Sequence, residues 1–204
     1  MTSPRYPIGG RMSDVLLGLG ARLRLRPLTE RYNSTFVLGL FALLNGFVSI
    51  ALVSLLAVAT GQPFVFPSLG PTAFLLFYTP QAPAASPRNT FLGHLIGAGC
   101  GYLALAIFGL LEAGPALTTG VTPARAGAAA LSLGLTAGVM VWLRVPHPPA
   151  GATTLIVSLG ILSHLPQLAV LMLGVVLLIA QGFAINRLAG LDYPIWGPRP
   201  ADRS

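Results

Sequence analysis

Four stretches without a single charged side chain dominate this sequence: residues 32–87, 89–111, 126–143 and 145–186. They run for 56, 23, 18 and 42 residues. A helix needs about 20 apolar residues to cross a hydrocarbon core of about 30 Å. The two middle stretches fit one crossing each, and the two outer ones are long enough for two each. The sequence therefore predicts up to six crossings. Composition agrees, with 54% hydrophobic and 8% charged residues, against about 25% charged in soluble domains. A soluble globular domain, a disordered chain and a nucleic-acid binder are all excluded. The bilayer is the expected partner.

The net charge of +7 comes from twelve arginines and no lysine. Arg5, Arg11, Arg22, Arg24, Arg26 and Arg31 precede the first apolar run, so residues 1–32 form a basic segment. A basic segment beside a span marks the cytoplasmic side. Within residues 13–26, Val15, Leu16, Leu17 and Leu19 followed by Arg22, Arg24 and Arg26 read as a short helix on the membrane surface or as a disordered tail. The run Phe36–Thr60 is too long for a signal-peptide core. With a cytoplasmic N-terminus, six crossings leave Arg88, Arg144, Arg187, Arg199 and Arg203 inside and only Arg125 outside. Four crossings with two re-entrant segments would put Arg88 and Arg144 outside, so the positive-inside rule favours six. Both termini are expected in the cytoplasm. The lysine-free, arginine- and alanine-rich composition suggests a bacterial plasma membrane. The lone Cys100 excludes a disulfide framework and reads as a packing residue.

Prolines break both long stretches. Gly61, Pro63 and Pro67 separate a full-length helix from a shorter run over 70–79. Pro146, Pro148 and Pro149 precede a run over 151–161, and Pro166 opens the last helix. Proline lacks an N–H and disfavours helical geometry in the residue before it. Residues 64–67 and 145–149 are thus expected to be extended approaches, each leading into a short helix. The two approaches align: Pro67, Gly70 and Thr72 sit 81 residues before Pro148, Gly151 and Thr153. The same offset carries Gly46 onto Gly127, Gly93 onto Gly174 and Gly101 onto Gly182. The fold class expected is an all-α polytopic membrane protein of two repeats, about 33–112 and 115–190. Each repeat is helix, broken helix, helix, and the second is inverted. Together they form one transmembrane domain over 33–190, followed by a short tail over 191–204.

Paired broken helices in inverted repeats point to a binding site near the midplane. The first N–H groups of a helix lack intrahelical partners, and its dipole is positive at that end. Two such ends meeting at the centre would suit a small anion or polar solute, with Thr72, Thr153 and Thr154 adding hydroxyls. No carboxylate lies near either motif, and the exposed end of a helix is expected for Glu112, so an anion fits better than a metal cation. His94 lies inside an expected span and could carry a proton or donate to an anion. His147 stands at the mouth of the second short helix and is expected to face solute. His164 is expected in an outer turn. Arg88 reads as a cytoplasmic anchor or an anion ligand, and Asn89 opens the same helix. Asn45 and Gln181 are expected to bond between helices. No phosphate-binding loop, zinc-protease helix or Gly-x-Ser-x-Gly elbow is present, so neither an enzyme, a cofactor nor a metal is expected.

The segment Val145-Pro146-His147-Pro148-Pro149-Ala150-Gly151-Ala152-Thr153-Thr154 resembles the signature of the HPP family of integral membrane proteins. Phe66-Pro67-Ser68-Leu69-Gly70-Pro71-Thr72-Ala73, then Ser86-Pro87-Arg88-Asn89 and Gly93-His94, is similar to the same family. The resemblance covers residues 33–190. It implies shared positions at His147, Pro148, Pro149, Gly151, Thr153, Arg88, Asn89 and His94. Family members are described as four-helix proteins, and plastid and cyanobacterial members are linked to nitrite transport. Some carry a C-terminal regulatory pair of CBS domains, of which this chain shows none. The expected function is transport of a small inorganic anion, nitrite foremost, in a protein that can form homo-oligomers. A membrane-embedded sensor or interaction subunit is the alternative.

Overall fold

The computed structural model describes residues 24–198, and every regular element among them is helical. A short helix α1 (Leu25–Arg31) leads into the long α2 (Ser34–Thr60). The short α3 (Leu69–Tyr78) and a 3-10 turn (Pro83–Ala85) precede α4 (Pro87–Ile107). A single turn α5 (Ala116–Thr119) leads to α6 (Pro123–Trp142), the short α7 (Ala150–Ser158) and α8 (Leu165–Leu188). Of these, α2, α4, α6 and α8 are long and apolar enough to cross a membrane. Most of the stretch expected as a surface helix, residues 13–23, lies outside the described residues, as does 199–204.

The local signals act as their chemistry requires. Pro87, Pro123 and Pro166 sit in first turns, where a missing N–H costs nothing. Ser86 and Thr122 cap α4 and α6 through their hydroxyls, and Asn33 caps α2. Gly61 ends α2 in the left-handed region. Residues 63–66 and 145–147 are non-helical, each followed by a turn and a short helix. Exposed His164 stands at the N-cap of α8, where the Gln167 side chain accepts from its N–H. Two polar residues differ from expectation. The Asn45 amide donates within its own helix, to the Phe41 carbonyl at 2.7 Å, and the Gln181 Oε1 has no partner. The Asn45 amide is thus satisfied locally, one turn back on its own helix.

Helix α4 is the hub, packing on α6, α7 and α8. Helices in lipid gain little from hydrophobic burial against each other, so close packing of small residues holds them. A Cβ on Gly93 would lie 2.6 Å from the His147 Cβ, one on Gly97 2.6 Å from the Ala150 carbonyl, and one on Gly101 2.7 Å from the Val157 Cβ. Glycine is required at these three positions because the His147 side chain lies directly against Gly93, and the α7 backbone lies against Gly97 and Gly101. On the other side, Gly174 of α8 lies against the Phe64 carbonyl, and Gly182 lies against Leu76 of α3. The contacts Gly101–Val157 and Gly182–Leu76 are one contact repeated at the 81-residue offset. Each short helix thus packs on the last long helix of the other half of the chain.

The chain after α8 turns back over the start of α4. The Arg88 N–H donates to the Trp196 carbonyl at 3.0 Å, and the buried Tyr193 hydroxyl donates to the Ala85 carbonyl. Burial pushes the Tyr193 hydroxyl well above its ordinary value. The native state therefore holds this proton after the unfolded chain, with a pKa of about 10, has lost it. The stability it contributes is complete below that pH and declines as pH rises above it. In an alkaline titration followed by tyrosinate absorbance, the Tyr193→Phe variant should match the parent, because Tyr193 ionises only on unfolding. A missing tyrosinate signal in the folded variant would refute this. Gly97→Ala should lower the melting temperature in detergent, losing about 1–3 kcal/mol to overpacking. Gly99→Ala, on the same helix with open space around it, should not.

Candidate functional site

The first turns of α3 and α7 converge on one buried imidazole. Thr72 Oγ1 lies 2.9 Å from His94 Nε2, and Thr153 Oγ1 lies 2.7 Å from His94 Nδ1. These two threonines are the repeat-related pair. His147 joins them, with its Nε2 at 3.2 Å from His94 Nε2 and 3.4 Å from Thr72 Oγ1. The two rings are 4.8 Å apart between centroids. All four side chains are fully buried.

Bond accounting assigns the protons. A carbonyl only accepts, so His147 Nδ1 carries a proton and donates it to the Ala84 carbonyl at 2.7 Å. The Thr72 hydroxyl donates to the Ser68 carbonyl at 2.9 Å, so its oxygen accepts from His94 Nε2. His94 Nδ1 then accepts from the Thr153 hydroxyl. With both rings neutral, each atom has one consistent role. The His147 Nε2 lone pair faces the His94 Nε2 proton, so one further proton fits between the rings only if a neighbour reorients.

A cavity of about 760 Å³ opens beside His147. It is lined by Arg88, Asn89, Arg144, His147 and Pro148, among apolar neighbours. No carboxylate among the described residues lines it. The Asn89 amide donates to the Pro83 carbonyl at 2.9 Å, leaving its buried Oδ1 without a partner. Arg144 adopts φ 53°, the one non-glycine residue among those described with positive φ. It follows α6, and the next N–H, of Val145, bonds back to the Met140 carbonyl. The same five-residue closure follows Gly109, Gly160 and Gly190, where the left-handed residue is glycine.

The expected residues divide between places. His147, Pro148, Arg88 and Asn89 meet at the cavity, and Thr72, Thr153 and His94 form the cluster behind it. Pro149 is the N-cap of α7. Gly151 packs toward Leu133 of α6. Thr154 is buried with its hydroxyl unpartnered. Pro67 and Gly70 are exposed, away from the cluster. The first N–H groups of α7 are already engaged: those of Ala150, Gly151 and Ala152 bond to the carbonyls of His147, Pro148 and Pro149. At α7, side chains rather than free amides are therefore the donors presented. Arg144 and the carbonyls of Ser68 and Ala84 also belong to the site, without a signal in the sequence that marks them. A charge between two uncharged stretches reads as an anchor, and carbonyls carry no sequence signal.

The pattern described as HPP, transmembrane region, matches residues 32–194. A transmembrane protein of Dictyostelium discoideum is 32% identical over 117 residues, which are 55% of this chain and 34% of that protein. The chain therefore spans about a third of that relative's length. No solved structure matches. The match spans both short helices, the histidine pair and the cavity beside them, and on it the chain belongs to the HPP family of integral membrane proteins.

Proposed function

We propose that this protein carries a small inorganic anion, nitrite foremost, across the bilayer. The observation that carries the reading is the cavity: two arginines, no carboxylate among the described residues, and His147 with its partner at the inner end. A recess lined by one sign of charge concentrates ions of the opposite sign. Arg144 supports the same reading. A left-handed non-glycine residue is strained by about 1–2 kcal/mol, and such strain clusters at functional positions. Here it keeps a guanidinium at the cavity where three equivalent turns use glycine.

The proposal includes six crossings, formed by two inverted repeats. The bond from Arg88 N–H to the Trp196 carbonyl joins the start of α4 to the chain beyond α8. The bond from Leu25 N–H to the Ala189 carbonyl joins the chain before α2 to the end of α8. Both contacts are met on one face if α3 and α7 each complete a crossing. Arg24, Arg26, Arg31, Arg88, Arg144 and Arg187 then share that face, which the positive-inside rule makes cytoplasmic. We place the protein in a bacterial plasma membrane, acting on its solute by transport rather than by catalysis. Self-association is part of the proposal, since α2 exposes a broad apolar face.

Proton coupling follows from the ring geometry. His147 Nε2 is the basic atom nearest the cavity, and a proton reaching it is shared with His94 once the Thr153 hydroxyl turns. Nitrite and nitrate uptake into proteoliposomes, with and without a pH gradient, tests the reading. Saturable nitrite uptake that rises with an inward proton gradient is expected. Folded protein giving no uptake above empty vesicles would end it. Thr72→Val combined with Thr153→Val should raise the apparent KM about tenfold, the equivalent of ~1.4 kcal/mol, with protein levels unchanged. Arg144→Gly should raise thermal stability by about 1 kcal/mol while weakening uptake at low nitrite. Unchanged kinetics in Arg144→Gly would remove that arginine from the anion site.

A further inference from the structure

Beyond the histidine pair, a second polar feature runs toward the opposite end of α7. Thr154 and Ser158 are one turn apart, so they share a face of that helix. Both are fully buried, and neither hydroxyl has a partner. Helix α6, which packs on α7, places Arg125, Ser132 and Thr136 on one buried face. Arg125 is 2% exposed. Its guanidinium donates to the Ser158 carbonyl at 3.2 Å and to the Gly114 carbonyl at 2.7 Å. The ion pairs among the described residues are Arg26–Glu30 and Arg187–Asp192, so no carboxylate among them is in direct contact with Arg125. A buried charge without a counter-ion is costly. Capping the carbonyl end of α7 accounts for one of its bonds, and tying down the Gly114 loop accounts for the other. Neither accounts for the two unpartnered hydroxyls beside it.

We infer that the anion's route continues along this seam, from the histidine pair past Thr154 and Ser158, and that Arg125 closes its far end. The inference rests on the transport reading. The hydroxyls replace water around a passing anion. Arg125 is held by two neutral carbonyls, and hydrogen bonds between two charged groups are stronger than bonds to a neutral acceptor. An arriving anion therefore exchanges with the carbonyls, releases the end of α7 and leaves on the far side. The route begins at Arg88 and Arg144 and ends at Arg125, with neutral donors between. That arrangement attracts an anion at both mouths without trapping it at the centre.

Thiol labelling tests the seam without assuming the solute. Cys100→Ala removes the chain's one cysteine. In this background, Ser158→Cys, Thr154→Cys and, as a control facing α4, Val157→Cys are placed in nanodiscs. Each is treated with the anionic, membrane-impermeant reagent sulfonatoethyl methanethiosulfonate. Variants are compared only where gel filtration shows a monodisperse protein, and the two seam positions serve as independent reporters. The seam cysteines should label at least about tenfold faster than the control, and Arg125→Gln should speed them about tenfold more, the equivalent of one lost bond to a charged group. Seam cysteines labelling no faster than Val157→Cys, with and without Arg125→Gln, would overturn the inference. Fast labelling together with no nitrite or nitrate uptake would keep the seam and discard those anions as the solute.

Discussion

A helix end among membrane spans leaves backbone N–H and C=O groups with no water to bond, and each must find a partner within the protein. The rest of this structure depends on that constraint. The chain carries two short helices behind proline-rich approaches, and lipid cannot cover their ends. Long helices cover them instead, through glycines that let backbone and side chains approach closely. Gly93, Gly97 and Gly101 bring α4 against α7, while Gly174 and Gly182 bring α8 against α3. The remaining polar ends are met by tight turns at the start of α7 and by the Arg125 guanidinium at its close.

With both helix starts held in place, their first-turn hydroxyls face a shared neighbour. His94 takes one from each half of the chain, and His147 adds a second ring against the first. A buried polar group of this kind is stable only when every member is satisfied. Satisfaction fixes the donor direction throughout, from Thr153 through His94 and His147 to the Ala84 carbonyl. The cluster is thus both a packing element joining the two halves and an ordered set of proton positions. Its opening toward the arginine-lined cavity links packing to the chemistry proposed.

Arg144 departs from the local backbone preference at the cavity. Three helix ends of the same geometry use glycine, which reaches the left-handed region without steric cost. The fourth places a charged side chain there, at the mouth of the cavity. Local backbone preference alone would select glycine at all four. A departure from a local rule at a concave, charged surface is the kind expected where a protein acts on something.

Much of the architecture was written in local sequence. The short helices begin within a residue or two of the positions that hydropathy and proline placed them, because chain breaks and helix starts depend on neighbouring residues. The offset of 81 residues also places Thr72 and Thr153 in equivalent first turns. What the two threonines touch was not legible. His94 and His147 are 53 residues apart, and only the glycine-lined contact between α4 and α7 brings their rings together. The burial of Arg125, the engagement of the α7 amides and the local bonding of Asn45 were likewise invisible. Sequence determines where each element starts and which face is apolar, since both follow from adjacent side chains. Which polar groups share a partner depends on how those faces meet, and tertiary packing alone decides that.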